Sequence, residues 1–235
     1  MRYYNFSIVI PAHNEERYIK NTLVNASSLD YPKDKFEILV VENGSIDRTY
    51  DVAKKFARKN IRIFKIQSRG VSRAKNFGAE KSRKKTEWII FLDADVVVER
   101  NFLNELNAFL IENGRDLVIG TTGLVPLEPD FRHNAWFRFH DFLHRFFKLS
   151  LSVQIANKKV FRKVRYDENL RYSEDIKLIR EMIKRGRFFY MPTKSVKIST
   201  RRFDKEGHFK LLLKWGYMNN LPYKSRIKRD YEVVR

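Results

Sequence analysis

A chain of 235 residues with 43% hydrophobic side chains can bury the core of one domain, which excludes a disordered or fibrous composition. It has no cysteine, so disulfide frameworks, thiolate metal sites and cysteine nucleophiles are excluded together. The formal net charge of +20 points to an anionic partner: nucleic acid, an anionic membrane surface or a phosphorylated substrate.

The chain opens without the basic-then-apolar pattern of a signal peptide, and no apolar run is long enough to span a bilayer; the expected location is the cytoplasm. Ser7-Ile8-Val9-Ile10 is a short apolar run expected to be a buried strand stopped by Pro11. Arg17 to Leu29 sets Ile19, Leu23, Val24 and Ala26 near one helical face. A second buried strand spans Phe36 to Val41, followed by the turn signal Asn43-Gly44-Ser45 and a helix from about Thr49 to Arg58. Ile61 to Ile66 alternates apolar with basic residues and reads as a strand with one wetter face. Val71 to Lys84 reads as helix and Trp88 to Leu92 as another buried strand, ending in Asp93. A helix from Phe102 to Ile111 closes at Asn113-Gly114, and Asp116 to Gly120 is a further strand.

The second half changes character. Phe131 to Leu151 reads as an amphipathic helix dense in Phe, Trp and Arg; between Phe131 and Arg165 nine Lys and Arg face one acid, Asp141. Glu174 to Arg185 is a helix capped by Gly186, and short strands follow at Phe188 to Met191 and Val196 to Thr200. The end of the chain is basic, with Leu211, Leu212, Leu213, Trp215 and Tyr217 set among lysines.

Strands alternating with helices imply parallel pairing with right-handed crossovers, and ligands then collect at the carboxyl ends of the strands. The polar clusters fall there: His13-Asn14-Glu15, Glu42-Asn43 and Asp93-Ala94-Asp95. Two carboxylates separated by one small residue can hold a divalent cation, Mn²⁺ or Mg²⁺, and through it a diphosphate. Asn14 also suits an N-cap of the helix that follows, and Asp47 a cap of the next one. Glu42 can accept hydrogen bonds from a nucleobase or ribose.

Pro11 to Glu16, Val40 to Thr49, Arg69 to Gly78 and Phe91 to Asp95 occur in an order and at spacings that resemble family 2 glycosyltransferases; the likeness runs from Ser7 to about Gly216. It implies the GT-A fold, an α/β Rossmann-like, mostly parallel sheet flanked by helices, with C-terminal helices on the acceptor side. It implies one domain, 1–235, with a nucleotide-sugar half at 1–120 and an acceptor half with the basic tail at 121–235. It also implies an inverting transfer from a UDP- or GDP-sugar to a hydroxyl acceptor, lipid-linked or a growing glycan. On that likeness Pro11, Ala12, His13, Glu15, Glu42, Arg69 and Lys75 line the donor pocket, and Asp93, Ala94 and Asp95 take the ribose, metal and diphosphate. Glu42-Asn43 departs from the family's usual acid pair, Lys75 stands for an Arg and His13 for a Tyr.

Tyr172-Ser173-Glu174-Asp175 is similar to the family's stretch around its catalytic acids, which implies Asp175 as general base and Glu174 as its acceptor-orienting neighbour. From the residues alone, Ser173 reads equally as an N-cap with acids in the first turn. Arg201 and Arg202 match basic residues of a segment that closes over the donor diphosphate, with His208 a candidate third metal ligand. The aromatic and basic stretches of the second half are candidates for contact with an anionic membrane. A specific nucleic-acid-binding module accounts for the charge but not for acids at three strand ends, which would repel phosphates. A nucleotidyltransferase of related architecture would open with a Gly-rich loop after the first strand, where this chain has no glycine before Gly44.

Overall fold

The computed structural model describes residues 2–150, 152–223 and 225. The basic end of the chain beyond residue 225 lies outside the described residues.

Four parallel strands, β1 (Phe6–Ala12), β2 (Phe36–Asn43), β3 (Ile61–Ile66) and β4 (Trp88–Leu92), are joined by helices α1 (Ile19–Ser27), α2 (Thr49–Lys54) and α3 (Val71–Lys81). There follow β5 (Val96–Val98), α4 (Phe102–Asn113), β6 (Leu117–Thr122), β7 (Val125–Pro126), α5 (Phe131–Phe147), β8 (Val153–Asn157) and α6 (Lys158–Val164). Then come α7 (Glu174–Met182), β9 (Arg187–Met191), β10 (Val196–Ile198), α8 (Arg201–Glu206) and α9 (His208–Asn219). The main sheet runs β3-β2-β1-β4-β8-β6-β9, and a small sheet runs β5-β10-β7.

β1, β2 and β4 are buried along their whole length, as continuous apolar runs require when helices cover both faces. Successive side chains feed opposite cores. Ile8 and Ile10 join the cluster that contains α1 and α4, while Val9 joins Phe91, Phe161 and Met182 on the other side. Gly78 of α3 sits so close to β1 that a Cβ there would lie 2.4 Å from Val9 Cγ1.

Several expectations are corrected. Pro11 does not end β1; the strand runs on to Ala12, because β4 pairs only as far as Val9 and leaves one side open beyond it. Val24 lies outside the buried stripe, and Thr22 is inside instead, its hydroxyl donating to the Ala94 carbonyl at 2.7 Å. The second helix stops at Lys54, since Arg58 turns back to bridge Ile61. The division at residue 120 falls inside β6, and β8 and β9 of the second half complete the main sheet. β8 is antiparallel to both of its neighbours. No helix among the described residues is long and apolar enough to cross a membrane.

Candidate active site

A cavity of about 510 Å³ opens where the carboxyl ends of β1, β2 and β4 face the starts of α7 and α8. β1 and its loop contribute Pro11, His13 and Glu15, and the entry to α3 contributes Arg69 and Lys75. The turn after β4 adds Asp93, Ala94 and Asp95, the start of α7 adds Glu174 and Asp175, and the start of α8 adds Arg201 and Arg202. Residues as far apart in the chain as Pro11 and Arg202 thus line one cavity.

At the acidic end, Arg201 Nη2 lies 2.9 Å from Asp95 Oδ2 and 3.4 Å from Glu15, with its guanidinium 4.0 Å above the Tyr18 ring. Burial, reinforced by Asp95, pushes Glu15 up to about 7 against the pull of Arg201. Burial likewise raises Asp93 to about 6, opposed first by Lys75, while Asp95 raises it further. Burial and the neighbouring Arg201 lower Arg202, while Glu206, Asp95 and Asp93 favour its charge.

At the other end, Lys75 is 7% exposed, 4.0 Å from Glu174 Oε1 and 5.0 Å from the Tyr166 ring. Burial raises both Glu174 and Asp175; Asp175 repels Glu174, and Lys75 restrains the two. Asp175 Oδ1 accepts the Ile176 amide at 2.8 Å. Ser173 does occupy the N-cap position of α7 with Glu174 and Asp175 in the first turn, but its backbone is left-handed at φ 56° and its side chain makes no capping bond.

Both His13 ring nitrogens are held, Nδ1 by the Asn43 carbonyl at 3.0 Å and Nε2 by Asn14 Nδ2 at 2.9 Å. Asn14 is not the cap of α1; it is left-handed at φ 57° and its Oδ1 accepts the Ile46 amide, tying the first loop to the second. Asp47 does take the Thr49 amide at the start of α2. Ala12 and Glu42 do not line the cavity. They are partners in the last rung of β1 and β2 and fully buried. Its Oε1 accepts the Ser45 amide, and its Oε2 has no hydrogen-bond partner. Asn43 lines the cavity instead, its Oδ1 accepting the Gly70 amide at 3.4 Å, where Gly70 has a φ of 147°.

His208 does not reach the acids: its ring packs 5.4 Å from Phe203 and 5.2 Å from Trp136. Among the described residues no three His, Asp or Glu side chains gather to hold a metal by themselves. Sequence reading missed Ser152, Gln154 and Tyr166. Asp93 is bonded by the Ser152 side chain, and the Tyr166 hydroxyl meets Gln154 Oε1. The available signal was Asn76, inside the Arg69–Gly78 motif, which brackets the Tyr166 backbone with two bonds of 3.0 Å.

The family model for glycosyl transferase family 2 matches residues 7–170. Over 115 residues the chain is 27% identical to the poly(ribitol-phosphate) β-N-acetylglucosaminyltransferase TarS of Staphylococcus aureus, covering 48% of this chain and 20% of that protein. It is 36% identical over 117 residues to the glycosyltransferase AglE of Haloferax volcanii, covering 48% and 38%. The chain therefore spans between a fifth and two fifths of the length of these curated relatives. The structure of TarS 1–349 with UDP-GlcNAc superposes at TM-score 0.69 and 17% identity, covering 94% of this chain and 69% of that one. A mannosyltransferase of Pyrobaculum calidifontis with GDP-Man and Mn²⁺ superposes at 0.65 and 15% identity, covering 91% and 65%. Both likenesses assign the same GT-A fold.

Proposed function

This chain belongs to glycosyl transferase family 2, and from that premise we propose that it moves a sugar from a nucleoside-diphosphate sugar to a hydroxyl acceptor with inversion. The observation that supports this most is the convergence of Asp93 and Asp95 with Glu174 and Asp175 on one cavity. TarS with UDP-GlcNAc and the mannosyltransferase with GDP-Man make a UDP- or GDP-sugar the proposed donor.

A hard divalent cation fits the acidic end, where buried carboxylates with raised proton affinity repel one another and an opposing cation relieves them. Asp95 and Asp93 would hold it, and it would supply Lewis-acid stabilisation of the charge on the leaving diphosphate. Arg201, now paired with Asp95 and Glu15, is the group placed to exchange those carboxylates for phosphate oxygens, with Arg202 beside it.

Asp175 takes the proton of the acceptor hydroxyl as its oxygen bonds to the anomeric carbon. The bond from that carbon to the diphosphate oxygen breaks, and the nucleoside diphosphate leaves with the electron pair. Burial that raises the proton affinity of Asp175 makes it a stronger base than a surface aspartate. Glu174, anchored by Lys75, orients the acceptor. The acceptor is lipid-linked or a growing glycan.

Asp175→Asn tests this. Turnover should fall by roughly 10²–10⁴, the usual worth of a positioned base, while nucleoside-diphosphate affinity measured by calorimetry with Mn²⁺ stays unchanged. Collapse of nucleotide affinity would assign Asp175 to the donor instead.

A further inference from the structure

Helix α5 has two apolar faces. His133, Phe137, His140 and His144 are buried on one. At 100° per residue, Phe131, Phe139, Phe142 and Phe146 fall within a quarter-turn on the opposite side. Phe131 is 88% exposed, Phe142 62% and Phe146 70%, with Phe142 and Phe146 stacked at 6.1 Å. Helix α9 repeats the pattern. Leu211 is buried and Trp215 packs on His140, while Phe209, Leu213 and Tyr217 stand at i, i+4 and i+8 with exposures of 68%, 59% and 61%. Single exposed apolar residues are ordinary, but a stripe of aromatic rings along α5 asks for a cover; α9 meets α5 through its inner side, Trp215 on His140, and its exposed stripe is a separate one.

We propose that the outward face of α5 seats the chain on an anionic lipid bilayer. Arg138 and Arg145 border the α5 stripe on one side and Arg132 on the other, and Lys210 borders that of α9. Aromatic side chains bordered by guanidinium and ammonium groups match a bilayer interface, where rings enter the acyl boundary and cations meet lipid phosphates. A second copy of the chain is disfavoured as the cover, because it would bring basic borders together in molecules that each carry +20. The inner sides of the same helices contribute Leu143, His144, Leu212 and Trp215 to the cavity that holds Asp175. A seated chain therefore meets acceptors held in the bilayer, a consequence that rests on the transferase reading; the seating itself does not.

Co-sedimentation of the whole chain with phosphatidylglycerol–phosphatidylcholine vesicles, without donor, is the test, with sedimentation velocity run in parallel. Binding to the anionic vesicles, absent with phosphatidylcholine alone, should weaken at least about tenfold in Phe142→Ser/Phe146→Ser and again in Arg138→Glu/Arg145→Glu. These residues are exposed, so the thermal midpoint should hold; Phe131→Ser repeats the test on the same stripe if the first variant unfolds. No binding to anionic vesicles, binding that survives every variant, or a dimer dispersed by Phe142→Ser/Phe146→Ser would each overturn the proposal. Since no turnover is read, failure here leaves the Asp175→Asn test standing.

Discussion

Lys75 is the residue on which the site's charge balance turns. It is nearly buried, pairs with Glu174 and opposes the burial that raises Asp93, Glu174 and Asp175. Replacing it with Met removes that opposition, so all three carboxyls should hold their protons to higher pH. A general base must be deprotonated, so activity is lost as pH falls through its raised pKa. The acid limb of the kcat/KM profile should therefore move upward by about one unit in Lys75→Met, while Lys75→Arg leaves it near its original place. An unmoved limb in Lys75→Met would separate Lys75 from the base. Lys75 was legible as a cation in the Arg69–Gly78 motif; its partners were not, because Glu174 lies 99 positions away in the chain.

At the scale of elements, α3 packs on β1 with no room for a methyl group at Gly78, where Val9 Cγ1 and Val41 Cγ2 are the nearest atoms. Gly78→Ala should cost on the order of 1–3 kcal/mol by overpacking, read as a lower urea midpoint with an unchanged slope. An undiminished midpoint would mean that α3 shifts without strain. The inner face of α5 carries a different liability. His140 is buried beside Trp215 and Phe203 with both ring nitrogens unpartnered, His144 is buried beside His140, and burial lowers them from 6.5 to about 4 and about 3. His208 also disfavours the charge on His140, and His140 that on His144. A histidine whose folded pKa is depressed stays neutral in the fold while the unfolded chain takes a proton, so stability is full above 6.5 and declines as pH falls toward 4 and 3. Lowering pH from about 7 to about 5 should cost roughly 2 kcal/mol per histidine, measured by urea titration. Substitution of both by Phe should flatten that slope; a slope that persists would place the acid sensitivity elsewhere.

At the scale of the whole molecule, the chain carries a net charge of +20, and the donor proposed for the cavity is an anion. Such a field raises the encounter rate with a nucleoside diphosphate and is screened by salt over about 10 Å at 0.1 M. The donor KM should therefore rise several-fold as ionic strength increases from low to about 0.5 M, with kcat at saturation little changed; a salt-independent KM would confine the charge to solubility or to the bilayer face. The amino-acid sequence by itself determined the alternation of strands and helices and the acids at the ends of β1, β2 and β4. Each of those features lies within a contiguous unit whose apolar runs and turn residues are read locally. Only the tertiary structure decided that Glu42 is fully buried, that β8 enters the sheet reversed, that Arg201 pairs with Asp95, and that Glu174 and Asp175 join Asp93 and Asp95 in one cavity. Strand order and the docking of α7 and α8 are settled by which faces bury each other across long stretches of chain, and local spacing carries no record of that choice.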